Sequence, residues 1–256
     1  MKIIGSDYDG TLNWGGIGDD KRAAIRRWQE AGNFFALVSG RHASNVRELH
    51  LEQNFGCDYF VGSNGAVIMN AAGDVVHADY CDLTQLRPLI EYLYELGCPV
   101  GLVHSVNYFN VFPDESRCTG ERAYTIDNMP PIPYFTQVST FLHSFEEAAA
   151  VSAKVRERFG KFFNPMQNGL NVDIVRADVN KATGLYRLME LVGAEYGDVI
   201  TVGDNVNDWD MIKEFRSYAM ESGVQAIRDL ATFVTPGVAE LIHRELAEQA
   251  QESEGE

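Results

Sequence analysis

Short, almost unbroken apolar runs constrain the fold of this 256-residue chain more than any other feature. Each stops in a cluster of Asp, Gly, Ser or Asn, and a helical stripe follows most of them. Residues 2–6 form the first run and pass into Ser6-Asp7-Tyr8-Asp9-Gly10-Thr11. Residues 20–31 then place Ala24, Ile25, Trp28 and Ala31 on one helical face, closed by Gly32. Phe34–Val38 is the second run and leads into Ser39-Gly40-Arg41, after which Ala43–Gln53 reads as a helix and 59–61 as a strand. Strands apolar on both faces and separated by helices predict βαβ units around a mainly parallel sheet. A hairpin of 66–69 and 75–77 closes this part.

The pattern changes near residue 82. Leu86, Leu89, Ile90 and Leu93 make a helix stripe ended by Gly97. Strand-like runs follow at 100–105, Tyr108–Phe112 and 135–142, then a helix at Phe145–Phe159 and two strands at 161–166 and 171–175. Hairpin-forming strands with helices gathered apart predict an α+β unit with an antiparallel sheet. From Asn180, a candidate N-cap, βα alternation returns: a helix with Leu185, Leu188, Met189 and Val192, a strand at 198–202 and a helix at 207–215. One α/β domain, 1–81 and 178–256, is therefore expected to be interrupted by an α+β domain at 82–177. Six Glu in 240–256 predict a last helix fraying into an acidic tail.

A hydrophobic fraction of 45% fills cores of this size, and 23% charged residues mark an ordinary globular chain. The net charge of −16 argues against a broad nucleic-acid or anionic-membrane surface, so neither partner is expected. Residues 82–177 carry 8 basic and 11 acidic side chains, the rest 13 and 26, so the acidity gathers in the α/β part. The cysteines at 57, 81, 98 and 118 form no C-x-x-C pair and are expected as reduced thiols. Without a signal-like or 20-residue apolar run, the chain is expected to be soluble and cytoplasmic, as a monomer or weak homo-oligomer.

Four clusters carry chemistry. Asp7 and Asp9, two apart at a strand end beside Gly10, can face one crevice, although Asp-x-Asp-Gly alone is also an ordinary turn. Ser39-Gly40 offers a hydroxyl and backbone N–H groups before a helix, which suits a phosphate or a plain N-cap. Lys181 opens a helix, where lysines are common. Gly203-Asp204-Asn205-Val206-Asn207-Asp208 groups hard oxygen donors suited to Mg2+, or makes an Asx-rich turn. The histidines form no zinc pattern. Gly15-Gly16-Ile17-Gly18 follows no strand, so it is no dinucleotide fingerprint.

In this order, and with three of the four at strand ends, the clusters together resemble the haloacid dehalogenase superfamily, in the branch of Cof-type phosphatases with a type-2 cap. Ser63-Asn64-Gly65-Ala66 resembles a signature of that branch. Tyr8, Ser39 and Asn205 depart from its commonest residues, and each departure leaves the catalytic functional groups in place. The resemblance implies a Rossmann-like three-layer core with a mainly parallel sheet, plus the inserted α+β cap. It implies a Mg2+-dependent phosphatase of small phosphorylated metabolites, with sugar phosphates favoured. Asp7 would be the nucleophile and Asp9 the general acid and base. Asp7, the Asp9 carbonyl and Asp204 would hold the metal, with Asp208 as ligand or support. Gly10, Thr11, Ser39, Gly40, Lys181 and Asn207 would bind or frame the phosphoryl group. Residues 15–18 would be a loop linking core and cap. Phosphomannomutase-like transfer and non-catalytic binding of a phosphate ligand stay open as alternatives.

Overall fold

The structure, a computed structural model, describes residues 1–254. In chain order the elements are β1 (Ile3–Asp7), α1 (Asp19–Glu30), β2 (Phe34–Val38), α2 (Ala43–Gln53), β3 (Tyr59–Gly62), β4 (Val67–Asn70) and β5 (Val75–Ala78). Next come α3 (Leu86–Glu95), β6 (Gly101–His104), β7 (Tyr108–Phe112), β8 (Ala123–Thr125), β9 (Gln137–Phe141), α4 (Phe145–Phe159), β10 (Phe163–Asn168) and β11 (Asn171–Arg176). The chain ends with α5 (Lys181–Val192), β12 (Val199–Gly203), α6 (Trp209–Glu214), β13 (Arg216–Met220), α7 (Gln225–Leu230), β14 (Phe233–Thr235) and α8 (Val238–Glu254).

Two compact units result: Met1–His77 with Lys181–Glu256, and Ala78–Asn180. The first holds an eight-stranded sheet ordered β14-β13-β12-β1-β2-β3-β4-β5, parallel from β14 to β3, with β4 antiparallel to β3. Alternate residues of a strand face opposite sides. Ile3, Val61 and Ala219 pack with Leu185, Leu188, Met211 and Ile227 of α5, α6 and α7. Their neighbours point the other way: Phe60 lies against His50 of α2, with ring centroids 5.4 Å apart, and the Tyr218 hydroxyl donates to Glu245 of α8 at 2.5 Å. Helices on both faces make three layers, the α/β core expected from the sequence.

The second unit is a six-stranded sheet ordered β10-β11-β9-β6-β7-β8. Leu86, Leu89, Ile90 and Leu93 of α3 and Val151 and Val155 of α4 join its apolar core. Ser144 caps α4 by accepting from Glu147 N–H at 3.1 Å, and Glu147 accepts from His143 N–H at 3.0 Å. The sheet is not wholly antiparallel as expected: β8, a three-residue edge strand, runs parallel to β7.

The expected fraying of the last helix is corrected in part. α8 is regular to Glu254, and Glu245 is fully buried, its carboxylate paired with Arg216 Nε at 2.8 Å. The final residues of the expected tail, 255 and 256, lie outside the described residues. The four cysteines are free thiols, and burial pushes Cys81 up to about 12. Among the described residues no helix is long and apolar enough to cross a membrane.

Candidate active site

Asp7 ends β1, between β2 and β12. The chain leaves β1 toward β2 on one side, and the later strands β12 to β14 build the other side. Open α/β sheets hold ligands at such a reversal of strand order, outside the carboxyl ends. Register places Asp7 beside Val38 and Ser6 beside Val202, so Ser39 and Gly203-Asp204 emerge next to it.

Lys181, the first residue of α5, is fully buried. Its Nζ donates to Asp7 Oδ1 at 2.6 Å and to Asp208 Oδ1 at 2.5 Å. Asp208, equally buried, accepts through Oδ2 from the backbone N–H groups of Asp204 (2.9 Å) and Asn205 (3.1 Å). One carboxylate thereby orients the lysine and closes the turn that carries Asp204. A Cβ on Gly203 would lie 2.5 Å from Asp208 Oδ2, so a side chain there would displace that carboxylate.

The first motif reaches Asp204 from the other side. Residues Tyr8–Leu12 form a wide turn closed by Asn13 N–H donating to Tyr8 O at 2.9 Å. Gly10 takes φ +83° inside it, and a Cβ there would come within 2.4 Å of Asp204 Oδ2. Both constraints demand glycine. Thr11 Oγ1 donates to Asp204 Oδ1 at 2.7 Å.

Burial pushes the Asp7 carboxyl well above the usual range; Lys181 opposes this, and Asp208 and Asp204 add to it. Asp204 is pushed up to about 6, chiefly by burial, with the Thr11 hydrogen bond opposing and the Asp208 charge adding. Burial also works against the Lys181 ammonium, but Asp208 and Asp7 together outweigh it and raise its pKa, so the lysine is a fixed cation. Single oxygens of Asp7, Asp204 and Asp208 lie within 4.8 Å of one another. Three carboxylates around one ammonium leave excess negative charge. Their hard oxygens fit a divalent cation that would neutralise it.

Asp9 points elsewhere. Its half-exposed carboxylate accepts from both arms of Arg41, Nε to Oδ2 at 2.7 Å and a terminal nitrogen to Oδ1 at 2.8 Å. The Asp9 hydrogen bond is the main cause of the raised Arg41 pKa. Sequence reasoning quoted Arg41 inside a motif and gave it no partner. The only signal was its place beside Ser39 and Gly40.

Ser39 is buried, and its Oγ accepts from Arg41 N–H at 3.2 Å. Ser63 N–H donates to Arg41 O at 2.8 Å and Asn64 N–H to Ser39 O at 3.0 Å. Ser63, Asn64 and Gly65 sit at φ +48°, +53° and +105° to do so. The second signature therefore braces the Ser39-Gly40-Arg41 loop. Gly40 is half-buried in that loop, and Asn207 is half-buried in the turn that Asp208 closes. Asp7, Thr11, Lys181, Asp204 and Asp208 are thus in one bonded group, and Asp9 is held beside it by Arg41.

Known proteins share this arrangement of the chain. The family described as haloacid dehalogenase-like hydrolase matches residues 4–240. The chain is 26% identical to YxeH of Bacillus subtilis (strain 168) over 94% of its length and 97% of the relative's. It is 23% identical to the 5-amino-6-(5-phospho-D-ribitylamino)uracil phosphatase YwtE of the same strain, over 97% and 99%. A solved haloacid dehalogenase-like hydrolase from B. subtilis superposes with a TM-score of 0.81 at 18% identity, covering 95% of this chain and 99% of that one.

Proposed function

The chain belongs to the haloacid dehalogenase-like hydrolase family, and we propose that it is a Mg2+-dependent phosphatase of small phosphorylated metabolites, sugar phosphates above all. The observation that carries this reading is Lys181 bridging Asp7 and Asp208 at the strand ends, with Asp204 beside them. The phosphatase name of YwtE, whose substrate is a phosphorylated polyol chain on a pyrimidine, supports the substrate class.

Asp7, Asp204 and the Asp9 carbonyl would hold Mg2+. Both Asp208 oxygens are engaged, by Lys181 and by two N–H groups, which suits support of the ligands from behind. When bound, Mg2+ withdraws charge from the phosphoryl oxygens, so that a carboxylate can approach an anion. Lys181 contributes fixed positive charge to the same end. An Asp7 oxygen attacks phosphorus, the bond to the leaving oxygen breaks, and Asp9 gives that oxygen its proton. Asp9 then takes a proton from water. The water oxygen attacks the aspartyl-phosphate, freeing inorganic phosphate and restoring Asp7. Ser39, the Gly40 N–H, Gly10, Thr11 and Asn207 frame the phosphoryl oxygens. For Asp9 to serve the leaving oxygen, its pairing with Arg41 must open or swing.

Released phosphate from a panel of sugar phosphates, a ribityl phosphate and an aryl phosphate tests the reading, with Mg2+ and with chelator. Mg2+-dependent release is expected. Binding of phosphate without release from any member would overturn it in favour of a ligand-binding protein. Movement of phosphate to a second hydroxyl would favour a mutase.

A further inference from the structure

Two lysines are buried among the described residues of the first unit, and they face opposite surroundings. Lys181 meets carboxylates. Lys21, on the first turn of α1, meets neutral oxygens: its Nζ donates to the backbone carbonyls of Leu12 (2.9 Å), Trp14 (2.6 Å) and Gly16 (2.8 Å). Three N–H donors meet three acceptors, so the ammonium is fully used. The acceptors alternate along the loop that leaves the wide turn. Gly15 and Gly16, at φ +68° and +85°, let that loop curl around one point.

The anchor is rigid, because Ala24, Ile25 and Trp28 fix α1 in the core. The far end is the catalytic turn itself, since Leu12 is the last residue of Tyr8–Leu12. Carbonyl oxygens converging on a single positive charge are how proteins hold K+ in place of water. Burial lowers the Lys21 pKa, and the charges of Asp20 and Glu240 oppose that.

We propose that Lys21 is a tethered cation, a positioning residue that gathers the Leu12, Trp14 and Gly16 carbonyls around its charge and so fixes the turn presenting Asp9 and Thr11. Its effect on turnover rests on the phosphatase reading. Its effect on the loop does not.

The test uses the full-length chain as wild type, Lys21→Ala and Lys21→Met. Two readouts are taken: amide hydrogen exchange of residues 12–18, and kcat and KM on an aryl phosphate with Mg2+. Each is repeated with propylammonium and with tetramethylammonium chloride. Lys21→Ala is expected to lose loop protection and to lower kcat about ten- to a hundredfold, the size of effect that misplaced catalytic groups produce. KM should stay within about twofold, because Ser39, Gly40, Lys181 and Asn207 lie outside the loosened turn and keep their hold on the phosphate. Propylammonium should restore protection and part of kcat, while tetramethylammonium, which has no N–H donor, should not. Lys21→Met fills the space and should respond to neither ion. Wild-type loop exchange in both variants, or equal rescue by both ions, would overturn the proposal. If Lys21→Ala does not fold, loop exchange in Lys21→Met decides alone. If the wild type releases no phosphate, the phosphatase reading fails and the exchange measurement still decides the role of Lys21.

Discussion

Both units bury hydroxyls and amides, but most of the buried charged side chains lie in the first. Under the eight-stranded sheet and at its strand ends lie Asp7, Lys21, Lys181, Asp208 and Glu245, all charged types. In the six-stranded unit the buried polar residues are mostly hydroxyls and amides, with His104 and Asp173 among them. There Gln137 Nε2 donates to Ser139 Oγ at 2.8 Å, and Ser139 Oγ donates to Asp173 Oδ1 at 2.6 Å. Burying an ion costs far more than burying a hydroxyl, unless a partner of fitting charge is fixed beside it. The first unit therefore carries its chemistry as a stability risk. The second holds polar groups that satisfy one another cheaply.

The sharpest probe of this contrast is Asp7→Asn. The amide is nearly isosteric and far less nucleophilic, so turnover should fall by about 10^4-fold or more while the fold persists. Circular dichroism and phosphate release measure both. Near-wild-type turnover would remove the covalent step.

Lys181→Met comes next. It leaves Asp7 and Asp208 buried without their cation and should cost about 3–5 kcal/mol in denaturant unfolding, besides turnover. A loss no larger than that of a surface lysine would break the contrast between the units.

The third effect is a pH dependence. The folded chain holds Asp204 at about 6 against an ordinary 3.8, so it binds that proton more tightly than the unfolded chain does. This contribution to stability is complete at low pH and is lost as pH rises from about 4 through 6. The raised Asp7 acts in the same direction. In metal-free protein, the melting temperature of wild type minus that of Asp204→Asn should fall across this window. Mg2+ should raise the wild-type value more at pH 7 than at pH 5, because the metal needs ionised carboxylates. A difference that rises with pH would contradict the assignment.

The smallest change lies in the second unit. Ser139→Ala deprives Gln137 and Asp173 of one partner and should cost about 1–2 kcal/mol in denaturant unfolding. A loss as large as that of Lys181→Met would erase the distinction.

The strand ends were legible in the sequence because apolar runs stop abruptly there and Asp, Gly and Ser take over. β8 was not: three residues at a sheet edge give periodicity nothing to act on. Lys21 was hidden by its neighbours. Asp19, Asp20 and Arg22 surround it with charge in the sequence, while its ammonium meets three carbonyls of the curled loop. Glu245 was hidden in the same way among acidic residues, its pairing with Arg216 spanning 29 positions. Arg41 finds Asp9 across 32 positions, and no local pattern encodes that. Periodicity reports which face of an element is buried. It does not report which distant charge that face will meet.

The insertion of one unit into the other also has a temporal side. A ribosome makes Asp7 first and its partner Lys181 174 positions later, a delay of about 10–35 s at ordinary rates of synthesis. Thr11 waits longer, 193 positions, for Asp204. During that interval β1, central in the finished sheet, has β2 on one side and nothing on the other, because β12 does not yet exist. The nascent chain thus displays an unpaired apolar strand edge while the second unit is still being made. Such an edge is open to a chaperone or to another nascent chain until Val199–Gly203 has been made.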